Sequence, residues 1–401
     1  MNAGAPSARA TVHGHCAEPG HGDNEGMAVA AIAFLLGSFV GSFLNVCIHR
    51  LPRNESVVHP PSRCYSCGTH VQWYDNLPIV SWLILRGRCR WCDAPFSIRY
   101  LLIELLVGAV TAAVAWLAFA PSHPWSALWA DGAGLAWPWP QSIACASVLV
   151  LAYFLIVSVF TDLDHMIIPD ELTKSMQVAA PFLAALTGAN LAFGWLPIDL
   201  LMRIDGAGSR IATVGPFLTI AALSLVFLLA SLPIAHRVYD RFCTGPMAWR
   251  KEDHQGFRAG VLWFVGAMVP PIVVVPMLIA WGDPWLQAVG VGLAQAVLGS
   301  LAGWLSLYVV GLLGTAAFKR NAMGFGDVKF LAPIGCFLGP VGVLYAFFAA
   351  AIVGTVVGIP MRLFHSKREI PFGPYLAIGA AIVLIWGVPL HHWLVGLVFG
   401  R

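Results

Sequence analysis

Pro340-Val-Gly-Val-Leu-Tyr-Ala-Phe-Phe-Ala-Ala-Ala-Ile-Val-Gly-Thr-Val-Val-Gly-Ile-Pro-Met361 runs for 22 residues without a charged side chain. About 20 apolar residues in a helix span the roughly 30 Å hydrocarbon core of a bilayer, so this stretch predicts a membrane-crossing helix. Outward from it, residues 28–48, 101–120, 142–160, 214–232 and 261–281 read the same way, and none contains Lys or Arg. A chain of 401 residues that is 58% hydrophobic and 11% charged has more apolar side chains than a water-soluble core can hide. Helices must carry the fold, because an open sheet would leave backbone groups unsatisfied in lipid. About ten spans are expected, near 28–48, 101–120, 142–160, 175–200, 213–233, 259–281, 287–317, 329–339, 341–361 and 373–398. The eighth is short, and Pro333, Gly335, Gly339 and Pro340 mark a broken helix there. Such backbone is tolerated at membrane depth only where protein or a water-filled cavity surrounds it.

Charge sets the orientation. With the first helix running inwards, the loops 49–100, 161–174, 233–258, 319–329 and 362–371 hold 19 of the 23 Lys and Arg residues, as the positive-inside rule asks of cytoplasmic loops. The opposite loops carry Asp131, Asp205 and Asp283 and the tryptophans Trp125, Trp129, Trp137 and Trp139. A net charge of +3 argues against a nucleic-acid partner; lipid is the expected surrounding. No cleavable signal peptide precedes the first helix, so that helix is retained. Residues 1–26, rich in Gly, Ala and His, read as a disordered tail. His13, His15, Cys16 and His21 are weighed as metal ligands, the tail reading is preferred, and Met27 is an alternative start. In the first helix, Gly37, Ser38, Gly41 and Ser42 are spaced for a close helix neighbour.

Four of the nine cysteines fall as Cys64-x-x-Cys67 and Cys89-x-x-Cys92 in the longest inside loop. A reducing compartment disfavours disulfides, whereas two such knuckles supply four thiolates for tetrahedral zinc, with basic neighbours favouring the thiolate form. Accidental pairs of free thiols are the competing account. A four-cysteine site is closed, so the metal is expected to be structural. Cys16, Cys47, Cys145, Cys243 and Cys336 are single and read as packing residues.

Two carboxylate clusters stand at one membrane boundary. Thr161-Asp162-Leu163-Asp164-His165-Met166-Ile167-Ile168-Pro169-Asp170 follows the third span, and Gly324-Phe325-Gly326-Asp327-Val328-Lys329 opens the broken helix. Helix ends are often charged, and a cap for the following helix is the preferred reading of Asp170. Two carboxylates that meet, however, share one proton; one then acts as base towards a water and the other as acid, which is aspartic peptidase chemistry.

Together with Gly41-Ser42-Phe43, Asn45-Val46, Arg50-Leu51-Pro52, Trp73 to Pro78, Ser81-Trp82, Leu85 to Cys89, Arg99-Tyr100 and Ile370 to Pro374, these motifs resemble, in order, the type IV prepilin leader peptidase / N-methyltransferase family. The resemblance implies that Asp162 and Asp327 are the catalytic pair, with Asp164, Asp170, Gly324, Gly326 and Lys329 supporting. It implies prepilin or pseudopilin substrates cut after a glycine at the cytoplasmic face of the inner membrane. It also implies methylation of the new N-terminus from S-adenosylmethionine by the cysteine-containing domain. No Gly-x-Gly-x-x-Gly follows a predicted strand, so the methyl donor rests on the resemblance alone. Asp75 and Glu104 are acidic candidates for placing the amine or the donor, with ordinary salt-bridge or turn roles preferred.

The expected architecture is an all-α polytopic membrane protein of about 8–10 transmembrane helices with a small cytoplasmic zinc-binding domain. Its parts are the tail 1–26, a first transmembrane helix 27–49, the four-cysteine domain 50–100 and a membrane-embedded peptidase domain 101–401. Residues 205–290 depart from the family pattern and read as an inserted helical hairpin with a basic loop 236–258. The competing function is a zinc-stabilised transporter whose intramembrane aspartates bind ions, for which no inverted repeat is found.

Overall fold

The computed structural model describes residues 21–119, 140–186, 210–242, 251–281, 284–365 and 371–399. Ten α-helices form among them: α1 His21–Arg50, α2 Val80–Leu85, α3 Ile98–Phe119, α4 Pro140–His165, α5 Asp170–Leu186, α6 Arg210–Phe242, α7 Lys251–Ala280, α8 Pro284–Phe318, α9 Phe325–His365 and α10 Gly373–Phe399. Among the described residues the only extended pairings are two isolated bridges. Seven helices are long and apolar enough to cross a membrane, namely α1, α3, α4 and α6 to α9, and α10 adds the shorter apolar segment Gly373–Gly387. The all-helical polytopic reading holds.

The boundaries differ from expectation in three places. First, α1 begins at His21, inside the stretch read as a disordered tail; once a span is nucleated, each added residue gains a backbone bond for little further entropy. Second, much of the expected loop 236–258 is helical, since α6 runs to Phe242 and α7 starts at Lys251. A 33-residue helix is about 50 Å long, well beyond the hydrocarbon core, so its polar end projects past the lipid. Third, α5 begins at Asp170, five residues before the expected span. The tail residues His13, His15 and Cys16, the four tryptophans 125–139, Asp131, Asp205, Asp283 and Cys243 lie outside the described residues.

The broken helix is present. Gly339 sits at φ 69°, ψ 176° inside α9, a conformation that favours glycine, and Pro340 follows with no amide to donate. The limb before the break is deeply packed: Phe330, Leu331, Ala332, Ile334 and Leu338 are fully buried. With lipid as apolar as leucine, helix association depends on close packing and interhelical hydrogen bonds. At the α8–α9 crossing, a Cβ on Gly299 would lie 2.0 Å from the Gly335 carbonyl oxygen, and one on Gly335 would lie 2.1 Å from that of Gly299. Only glycine at both positions lets the two backbones meet. The small-residue stripe of α1 works similarly, with Gly41 against the backbone of Glu104 in α3.

The α6–α7 hairpin shares the core that surrounds α9. Phe264 of α7 stacks on Trp304 of α8 at 5.2 Å, Phe257 lies 4.7 Å from Phe325, and Ser231 of α6 is 2.6 Å from the Tyr308 hydroxyl. Each aromatic pair adds about 0.5–1.5 kcal/mol beyond simple burial. The hairpin thereby packs onto the turn that carries Asp327.

Candidate active site and metal centre

Two helix ends build the acidic site. Asp162 lies in the last turn of α4 and is buried; Asp327 lies in the first turn of α9 and is half-buried. The two carboxyls are within electrostatic range of each other. Asp162 accepts a 3.0 Å hydrogen bond from the Gly373 amide at the start of α10, and the Asp327 amide donates to the Gly324 carbonyl at 3.2 Å. Ile168 packs close to the starts of α9 and α10: Cβ atoms built on Gly326 and Gly373 would stand 3.9 and 3.4 Å from it. Gly324 is equally close, 3.4 Å from Oδ2 of Asp327 by the same measure. Three helix termini thus converge here, the end of α4 lying 160 residues before the start of α9 and that start 48 residues before α10.

The remaining residues singled out in the sequence brace this pair. Lys329 donates to Asp170 at 2.6 Å, and Lys174 lies 3.0 Å from the same carboxylate. Asp170 is the first residue of α5, and its carboxylate goes to these two ammonium groups and not to a helix-cap amide. Burial pushes the Asp170 carboxyl up, but the two lysines outweigh it and hold it below the usual carboxylate range. Asp164 pairs with Arg99 at 2.5 Å, and that guanidinium also lies over the Phe160 ring at 5.1 Å. Arg99 is at the start of α3, so this pair ties the membrane end of the cysteine module to the helix bearing Asp162.

Sequence reasoning did not assign roles to Gly373, Ile168, Gln177 or Arg99. Gln177 donates to the Lys329 carbonyl at 3.3 Å. The run Ile370 to Pro374 and the pair Arg99-Tyr100 were visible as motifs, but the partner of each lies 65 or more residues away.

The four cysteines meet. One ligand atom from each of Cys64, Cys67, Cys89 and Cys92 lies within 4.8 Å of all the others, and the Cys64 and Cys92 sulfurs are 3.7 Å apart. Tetrahedral zinc with Zn–S of about 2.3 Å requires S···S of about 3.8 Å, so the donor set fits a metal ion. The two knuckles are copies of one turn. In each, the first cysteine amide bonds the carbonyl five residues on, and the residue after the second cysteine, Gly68 or Asp93, has positive φ. The residue before each knuckle bridges to one seven positions later, Arg63 to His70 and Arg88 to Pro95. Amides of Cys67 and Ser66 pull the Cys64 thiol down, and Thr69 pulls Cys67 down to about 6. The Ala94 amide acts likewise on Cys92, but burial and the three neighbouring thiols push it up to about 12. Four clustered thiols without a cation cannot all ionise. Asp75 forms a bidentate pair with Arg90 of the second knuckle, at 2.5 and 2.9 Å, which is the salt-bridge role preferred for it.

Comparison with known proteins adds to this geometry. A model described as "Bacterial Peptidase A24 N-terminal domain" matches residues 35–118, which contain the cysteine module. One described as "Type IV leader peptidase family" matches residues 262–359, which contain Asp327 and begin within α7 of the hairpin. A prepilin leader peptidase/N-methyltransferase of Myxococcus xanthus is 37% identical over 268 residues, 61% of this chain and 72% of the relative. Proteins of that name from Aeromonas hydrophila and Neisseria gonorrhoeae are 27% and 25% identical, covering 90% and 88% of this chain and 92% and 88% of their own lengths. No solved structure matches the chain.

Proposed function

Because the chain belongs to the prepilin leader peptidase/N-methyltransferase family, we propose that Asp162 and Asp327 are the pair with which it cleaves the leader from type IV prepilins or type II secretion pseudopilins. It is a membrane-embedded enzyme, a peptidase and a methyltransferase. The observation that carries the catalytic assignment is that these two carboxyls, at the ends of α4 and α9, stand within electrostatic range of each other, with the Gly373 amide fixing one of them.

One carboxylate takes a proton from a water as its oxygen attacks the scissile carbonyl carbon, while the partner carboxyl gives its proton to the carbonyl oxygen. Collapse of the tetrahedral adduct breaks the C–N bond: the departing nitrogen takes up the proton held by the first carboxyl, and one hydroxyl of the adduct returns its proton to the partner carboxylate as the new C=O forms. The Asp170–Lys329 and Arg99–Asp164 pairs hold the two aspartate-bearing segments in register, and Gly324 and Gly326 keep the space beside Asp327 free of side chains. The site faces the cytoplasm across the inner membrane, as the Lys and Arg distribution favours, so a prepilin with its short basic leader on that side reaches it with the cleavage point after a glycine. Domains follow the same division: the cysteine module 50–100 holds zinc as a structural ion and serves methyl transfer from S-adenosylmethionine, and 101–401 serves cleavage. The hairpin within 205–290 buttresses the turn bearing Asp327.

The test is mass spectrometry of a synthetic prepilin N-terminal segment incubated with the detergent-solubilised chain. Loss of the leader, and gain of one methyl mass only when S-adenosylmethionine is added, is the expected result; a folded enzyme that leaves several prepilins intact overturns the reading. A sharper expectation concerns Gly373. A Cβ there would stand 2.6 Å from Asp162 Oδ2, so Gly373→Ala must displace the carboxylate. Because such misplacement costs on the order of a hundredfold, cleavage should fall by about that factor while the thermal midpoint barely moves. Unchanged cleavage would show that the Asp162 position seen here is not the working one.

A further inference from the structure

Between the last turns of α1, the first turn of α3 and the cysteine module lies a cavity of about 170 Å³. None of the four aspartates of the acidic site lines it, so cleavage leaves it unexplained. Its walls are unusual for a gap between domains. The Trp82 indole N–H is buried there without a hydrogen-bond partner, and an unpaired buried donor is costly unless something else supplies the acceptor. Gly87, at φ 67°, is what lets the indole lie against the backbone: a Cβ on it would be 2.9 Å from the ring. Glu104 is 91% buried and accepts the Ile79 amide at 2.8 Å through one carboxylate oxygen. Tyr65, Tyr100 and Arg63 also line it.

We propose that this cavity is the binding site for the methyl donor S-adenosylmethionine, with Trp82, Glu104 and Arg63 as its principal contacts. The assignment rests on the reading of the chain as an N-methyltransferase. An adenosyl sulfonium offers a flat purine, a positive sulfur and an α-carboxylate. The cavity offers aromatic faces, a buried carboxylate and an arginine, each the chemical complement of one of these. The orphaned indole N–H gains an acceptor from any of the donor's ring nitrogens or oxygens. In the transfer, the amine nitrogen of the cleaved substrate forms the new N–C bond with its lone pair as the methyl C–S bond breaks. That bond's electrons stay on sulfur as a neutral thioether, and the methylated amine releases one proton. The location suits a substrate whose new N-terminus is made at the membrane boundary, since Arg99 joins the same end of α3 to Asp164 of α4.

Equilibrium dialysis of tritiated S-adenosylmethionine against the detergent-solubilised full chain tests this without relying on turnover. Trp82→Phe should weaken binding on the order of tenfold, the equivalent of one lost hydrogen bond in a dry site. Arg63 is exposed, so Arg63→Ala keeps the fold intact and should weaken binding about fivefold if the arginine holds the donor's carboxylate. The thermal midpoint checks the folding of each variant. Wild type that binds and methylates, with both variants binding equally well, overturns the cavity and leaves the methyltransferase reading standing. Wild type that neither binds nor methylates removes both.

Discussion

Asp327→Asn and Asp162→Asn should each lower prepilin cleavage by on the order of a thousandfold or more, and the double variant should be no worse than either single one. The size follows from what is lost: general acid or base catalysis contributes about 10² to 10⁴, and here one carboxyl is useless without the other. Groups acting as a unit are strongly non-additive, so a double variant that fell by the product of the single effects would mean two independent roles. Stability should move differently. Asn has the same shape, can still accept the Gly373 amide at position 162, and removes a carboxyl from a crowded site, so the thermal midpoint should hold or rise. Cleavage assays alongside thermal unfolding separate these outcomes. Activity lost together with several degrees of stability would mark the aspartates as structural, and full activity in either single variant would remove them from the mechanism.

The legible parts of this molecule were those written locally. Uncharged runs gave the spans, Gly339-Pro340 gave the break in α9, and the two Cys-x-x-Cys pairs gave the four-cysteine cluster. Helix length was less legible. A hydropathy window marks the portion that crosses lipid, so it cuts α6 short of His236, Arg237, Asp240 and Arg241 and starts α7 after Lys251, Glu252, Asp253 and Arg258, although the helices continue through these polar residues. Beyond the cysteines, long-range partnerships were mostly not legible. A carboxylate at the first position of α5 is a reasonable cap by every local rule, yet Asp170 is claimed by Lys329, 159 residues away. Gly373 stands in the sequence only as one residue of the run Ile370 to Pro374, and its contact is with an aspartate 211 residues earlier. Nor did composition reveal that the two knuckles repeat one turn, because their intervening residues, Tyr65-Ser66 and Arg90-Trp91, share nothing but the spacing.

Purified wild type should carry about one zinc per chain, and Cys64→Ser should carry nearly none. Across the 47 residues of 51–97, only Cys64, Pro78, Ser81, Gly87 and Cys89 are buried, so the module has almost no apolar core of its own. Trp73, Tyr65, Trp91 and Ile84 are instead more than 60% exposed. A segment of this size without a core needs a staple, and structural zinc supplies an apparent binding free energy of roughly 10–16 kcal/mol that becomes folding free energy. Losing one of four thiolates should therefore do more than lower metal content. The module should open to limited proteolysis between residues 51 and 97, and a chelator should reproduce this in wild type. The membrane helices should be untouched, because their backbone bonds are closed within each segment. Metal content by mass spectrometry and the positions of the proteolytic cuts check both halves. Equal zinc in wild type and Cys64→Ser would refute the four-cysteine centre. Zinc loss with a protease-resistant module would place its stability in the Asp75–Arg90 pair and the hydrogen bond from the Ile79 amide to Glu104 of α3, and the metal would then be incidental to the fold.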